Sequence, residues 1–97
     1  MLTAKQRSYL CGLAAKDTIV THLGKGGATE AFTAQLATLL EYHELVKVRF
    51  VNFKDEKKTI ADDLALATKS DLVRLIGNTA IFFRQNSDPE KRIVVLS

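Results

Sequence analysis

Three glycines in four positions, Gly24-Lys25-Gly26-Gly27, break the chain between segments of opposite periodicity, and that junction constrains the fold more than any other feature. Before it, Thr18-Ile19-Val20-Thr21-His22-Leu23 is rich in β-branched residues and reads as a short strand. After it, Thr29 is a favourable N-cap, Glu30 suits the positive end of a helix dipole, and Phe32, Leu36, Leu39, Leu40 and His43 recur with helical spacing. Residues 45–51 then alternate, Val46, Val48 and Phe50 on one face and Lys47 and Arg49 on the other, as a half-buried strand requires. A helix that joins two strands of one sheet crosses over right-handed and leaves them parallel. The junction therefore specifies a strand, a helix and a parallel strand, with the glycine turn at the end of the first strand.

The remaining elements follow from the same periodicities. Thr3 and Gln6 match a capping box, and Leu2, Gln6, Tyr9, Leu10 and Leu13 fall on one side of a helix over residues 3–16. Beyond the polar stretch 52–58, Ile60, Leu64 and Ala67 mark a third helix with Asp62 and Asp63 outward. Residues 72–76 and 80–84 read as strands joined by Gly77-Asn78-Thr79, where a glycine at the first central position suits a type II′ hairpin. Residues 85–92 form a loop, and Ile93 to Leu96 suit a short edge strand. A chain of 97 residues holds one compact domain and no more. The expected fold is thus α/β: a single domain over 1–97, a mixed, roughly four-stranded sheet packed with three helices in the order α-β-α-β-α-β-β.

Several function classes lose their footing here. No apolar run approaches the ~20 residues that span a bilayer, and the polar start Thr3-Ala4-Lys5-Gln6-Arg7 lacks the apolar core of a secretory signal, so a cytoplasmic protein is expected. The single Cys11 has no partner for a disulfide or a structural zinc site and reads as helix filler. His22 ends a strand and His43 continues the core stripe of the second helix, with no ligand cluster around either, so no metal is expected. Asp62 and Asp63, adjacent on a helix, diverge by about 100° and cannot face each other as an acid and base. The run Lys54-Asp55-Glu56-Lys57-Lys58 reads as a solvated loop. The glycine loop matches neither a Walker loop, which needs Gly-x-x-x-x-Gly-Lys, nor the Gly-x-Gly-x-x-Gly of dinucleotide folds. No catalytic residue, cofactor or small-molecule substrate is expected.

What the loop does offer is an anion site. Its glycines let a ligand approach the backbone, the helix that follows presents unpaired N–H groups, and Lys25 adds a charge. The formal net charge is +3, and residues 1–27 carry that whole excess as Lys5, Arg7, Lys16 and Lys25 against Asp17 alone. On a helical wheel Lys5 and Lys16 point within about 20° of each other, which suggests one basic edge with Gly12 between them. Of the adjacent Phe82 and Phe83 at least one belongs to the core, since neighbours on a strand face opposite ways; a base-stacking role for either is the minority reading.

Four blocks, Leu2-Thr3-Ala4-Lys5-Gln6-Arg7, Leu23-Gly24-Lys25-Gly26-Gly27-Ala28-Thr29, Glu44-Leu45-Val46-Lys47-Val48 and residues 76–84, from Ile76-Gly77-Asn78-Thr79 to Phe82-Phe83-Arg84, stand in an order and spacing that resembles the CRM domain (chloroplast RNA splicing and ribosome maturation) in its stand-alone bacterial YhbY-like form. The resemblance implies a sheet similar to the C-terminal domain of translation initiation factor three. It also implies binding to ribosomal RNA in precursors of the large subunit through the Gly24-x-x-Gly27 loop, a form by which KH-type domains grip single-stranded RNA. By position it assigns RNA contact to Gly24, Lys25, Gly26 and Gly27, with Lys5 and Arg84 as neighbouring phosphate contacts. The chain departs from the usual family pattern at Asp17-Thr18, Asn78 and Phe82-Phe83-Arg84. The alternatives are an interaction module that docks on a ribosomal protein and, last, a small phosphotransfer or nucleotide-binding enzyme.

Overall fold

The computed structural model describes residues 2–16 and 18–95. The strand, helix, parallel-strand unit forms as the sequence requires. Strand β1 (Val20–Leu23) pairs in parallel with β2 (Leu45–Phe50), and helix α2 (Glu30–His43) crosses between them. Thr29 caps α2, its Oγ1 accepting from the Phe32 amide at 3.1 Å. Helix α1 (Ala4–Ala14) begins on the anticipated capping box, Thr3 Oγ1 accepting from the Gln6 amide and Gln6 Oε1 from the Thr3 amide. Helix α3 (Lys57–Thr68) leads into the antiparallel pair β3 (Asp71–Ile76) and β4 (Thr79–Phe83), which turn at Gly77 with φ 57°. A positive φ there is what the first central position of a type II′ turn demands.

The sheet order is β1-β2-β4-β3, so β4 runs in the interior with apolar layers on both faces. Ala80 and Phe82 join Leu23, Val46, Val48 and Phe50 beneath Leu36 and Leu40 of α2 and Ala61 and Leu64 of α3. Ile81 and Phe83 project the other way and meet Leu45, Val73, Leu10 and Ala14 of α1, and Val94. Phe82 and Phe83 are therefore both core, one in each layer, and neither is a stacking platform.

Local readings shift where tertiary packing selects a different stripe. On α1, Leu10 and Ala14 are buried and Arg7 and Cys11 half-buried, while Tyr9 is exposed. Arg7 is on the inner side because the register of β3 shifts between Leu72 and Arg74: its Nη1 donates to the carbonyls of Leu72 at 2.6 Å and Val73 at 2.7 Å. A bulge leaves such groups without a ladder partner, and the guanidinium supplies one. On α3 the buried line is Ala61, Leu64 and Thr68, with Ile60 half-buried and Ala67 exposed. On α2 it runs Leu36, Leu40 and then Glu44, so His43 is exposed and not part of the core stripe.

The tail corrects a further expectation. Within Ile93 to Leu96 no strand forms over the described residues, and Leu96 lies outside them. A single 3-10 turn (Pro89–Lys91) precedes Val94, which seals the α1 side of the core. Glu44, fully buried with φ 59°, holds this segment in place. Its Oε1 accepts from the amides of Ile93 at 2.6 Å and Val94 at 2.7 Å, and its Oε2 from the amide of Asn86 at 2.6 Å. Three charge-assisted bonds from otherwise unpaired amides make this carboxylate a fold determinant. Glu44→Ala is expected to destabilise the protein by about 3 kcal/mol or more, and Glu44→Gln by less, measured by urea unfolding; equal stability of Glu44→Ala and wild type would refute this role.

Candidate nucleic-acid interface

The Gly24–Gly27 segment leaves β1 as a β-turn closed by the Gly27 amide donating to the Gly24 carbonyl at 3.0 Å. Lys25 and Gly26 occupy its central positions and are exposed. The amides of Lys25, Gly26 and Ala28 have no protein acceptor among the described residues. The three glycines are not equivalent. Gly27 has φ 72°, which strains any other residue, and a Cβ there would come within 3.2 Å of Phe53 Cε2, so the ring would have to shift by a few tenths of an ångström. Gly24 and Gly26 take no left-handed φ, and a Cβ at either would meet nothing within 4 Å. The fold does not need glycine at these two positions, and their bareness leaves the turn open to a ligand.

Beside the turn lies a basic strip of sheet. Residues opposite one another across strands share a face, and the register sets His22, Arg49, Thr79 and Ile76 in one row and Val20, Lys47, Ile81 and Arg74 in the next. This is the face on which α1 packs, and α1 leaves much of it open: His22, Arg49 and Arg74 are exposed and Lys47 is half-buried. Ala14 and Ala15 line a shallow hollow with Lys47, Ile76, Thr79 and Ile81, and the exposed Lys16 follows them directly. The ion pairs among the described residues, Lys58–Asp62 and Arg84–Glu41, engage none of these cations. Asp17 lies outside the described residues.

The residues singled out from the sequence are thus only partly gathered. Gly24, Lys25, Gly26 and Gly27 form one exposed turn. The single basic edge of Lys5 and Lys16 does not form, because α1 ends at Ala14 and Lys16 belongs to the turn beyond it. Lys5 is exposed at the other end of α1, next to where Arg7 docks on the edge strand β3; β1, which carries the turn, is the opposite edge, about 14 Å across the sheet. Arg84 is at the far end of β4, its guanidinium committed to the carbonyls of Thr68 (3.0 Å) and Ala37 (3.2 Å) and to Glu41 Oε2 (2.8 Å). It braces α2 against α3 and is not positioned beside the turn. Conversely, the alternation of Lys47 and Arg49 was visible in the sequence, whereas their partnership with His22 and Arg74 depends on cross-strand register.

A family model of the CRS1/YhbY (CRM) domain matches residues 2–84. This chain belongs to that family. Similarity to other proteins extends over almost all of it: "Probable RNA-binding protein YqeI" of Bacillus subtilis is 35% identical over 89 residues, covering 91% of this chain and 93% of the relative. An "RNA-binding protein" of Haemophilus influenzae is 32% identical over 88 residues, covering 90% of this chain and 89% of the relative. The solution structure of SAV1595 from Staphylococcus aureus, described as an RNA-binding candidate, superposes with a TM-score of 0.78 at 36% identity, over 98% of this chain and 100% of that one. The single-domain fold, three helices on a mixed four-stranded sheet, is therefore shared with a relative of known structure.

Within this CRM domain the glycines divide into one required by the fold and two that are not, which makes a direct stability test. Gly27→Ala is expected to lose about 1–2 kcal/mol through its left-handed φ, with the Phe53 contact adding to the cost. Gly26→Ala should leave stability unchanged or raise it by up to about 1 kcal/mol. Thermal unfolding of the two variants checks the contrast, and a Gly26→Ala loss as large as that of Gly27→Ala would count against it.

Proposed function

We propose that this protein binds structured RNA, without catalysis, and does so on precursor ribosomal RNA of the large subunit in the cytoplasm, with the Gly24–Gly27 turn as a clamp on the sugar-phosphate backbone. The observation that carries the reading is the exposed turn with bare amides and Lys25, next to a strip of cations that enter no ion pair among the described residues. Exposed amides and an ammonium on one turn suit phosphate oxygens, which accept only, and the basic strip beside them suits the path of a polyanion. The RNA-binding names of the relatives support the same partner. Lys25 and Lys16, with Lys47, Arg49 and Arg74, are the phosphate contacts in this reading; Lys5 and Arg84 are placed too far from the turn to share it.

A second reading has its own observation. A cavity of about 350 Å³ is lined by Tyr9, Leu13, Ile19, His43, Leu45 and the tail around Val94, with Ile93 and Val95 exposed at its rim. That surface suits an apolar segment of a ribosomal protein, and co-sedimentation with large-subunit particles that survives high salt but fails on naked RNA would favour it.

Phosphate neutralisation makes affinity fall as salt rises, with about 0.7–0.9 of a unit in the log–log slope per contact. Lys25→Ala is expected to weaken binding to ribosomal RNA fragments uniformly and to reduce that slope by about 1, read from gel-shift titrations at two or more salt concentrations. Gly26→Ala should weaken binding while remaining folded. Wild-type affinity in both variants would remove the turn from the interface.

A further inference from the structure

The chain has five phenylalanines. Phe50, Phe82 and Phe83 are buried and Phe32 is half-buried, but Phe53 is 42% exposed in a stretch of otherwise polar and charged residues. Its backbone is left-handed, φ 58° and ψ 37°, a conformation that a bulky side chain enters only under constraint. The constraint is visible. The amides of Val51 and Asn52 both donate to the Leu23 carbonyl, at 3.0 and 3.3 Å, and the Glu56 amide closes a turn on the Phe53 carbonyl at 3.2 Å. The chain is thereby pinned at the exit of β1, and the Phe53 ring comes to rest against Gly27. Gly27 itself offers the ring little apolar surface, and 42% of Phe53 is left to solvent.

We propose that Phe53 is a stacking platform for an unpaired RNA base whose neighbouring phosphate is held by the Gly24–Gly27 turn. The inference rests on the RNA-binding reading above and adds to it a second kind of contact. The ring has one side set by Gly27 and substantial area left to solvent, and the cations Lys25 and Lys54 are exposed in the turn it touches and in the next residue of its own segment. Aromatic faces bind bases of any sequence, while the amides and lysines bind the backbone that connects them. Together they select single-stranded or looped RNA over uninterrupted duplex, whose bases are stacked on one another.

The chain contains no tryptophan, so Phe53→Trp places a single reporter at the platform. With the 97-residue chain, titration of Phe53→Trp with a ten-nucleotide oligoadenylate is expected to quench its emission, whereas inorganic polyphosphate, which has charge but no bases, leaves it unchanged. Phe53→Leu, which keeps apolar contact with Gly27 but lacks the aromatic face, is expected to bind the oligonucleotide about ten-fold more weakly with an unaltered thermal midpoint. If the oligonucleotide saturates Phe53→Trp in a gel shift while its emission stays constant, or Phe53→Leu binds as tightly as wild type, the platform is refuted and the RNA-binding reading stands. If wild type binds neither the oligonucleotide nor ribosomal RNA fragments, both fall together.

Discussion

The parallel register of β1 and β2 sets Leu23 beside Phe50, and the two amides beyond Phe50 both close on the Leu23 carbonyl. Parallel strands carry their C-terminal ends to the same side of a sheet, so whatever follows each is brought together there. After β1 comes the glycine turn, and after β2 comes the segment with Phe53. The β3–β4 turn joins them, because Phe50 donates to the Asn78 carbonyl at 2.7 Å and Lys57 Nζ reaches Asn78 Oδ1 at 3.2 Å. Three loops distant in sequence thus form one rim, and a crossover helix is what makes this possible. The candidate site is a consequence of topology before it is one of composition.

The two faces of the sheet divide the work differently. Two helices cover one face and leave it apolar from β2 to β3; the other is covered by α1, which lies over the middle and far strands, and by Val94 of the tail. The exposed His22, Arg49 and Arg74 stand among Val20, Thr79 and Ile76 on the remainder of that second face, where an exposed polar side chain costs little desolvation. The arrangement keeps these cations out of both cores while holding them on rigid strands. Their spacing is set by the pleat, and their long side chains retain freedom at the tips. A polyanion meets a surface of fixed layout and adjustable contacts, which suits partners recognised by backbone and shape.

Much of this architecture is legible in the residues themselves because local signals agree with the fold. The capping box at Thr3, the N-cap at Thr29, the alternation from Val46 to Phe50 and the Gly77 hairpin each act within a few residues, and each is found in place. The misread positions are those where a distant partner decides. Arg7 turns inward because β3 offers it two carbonyls, and Arg84 serves as a brace because Ala37, Glu41 and Thr68 converge on it. His43 loses its core place because Glu44 takes it to reach the tail. At the candidate site the glycine turn is plain in the sequence. Phe53 is hidden in a charge-dense stretch, and its contact with Gly27 arises from tertiary hydrogen bonds that no periodicity encodes.

The Glu44 carboxylate has a consequence for how the molecule comes apart. Chain ends normally fray because opening them exposes little and strands nothing. Here, peeling residues 86–94 from the body would leave an acidic group facing an apolar layer without its three amide donors. The penalty fastens a segment with almost no regular secondary structure to the same cooperative unit as the central strands. Residues 86–94 then behave as a clasp, opening only when the whole domain does.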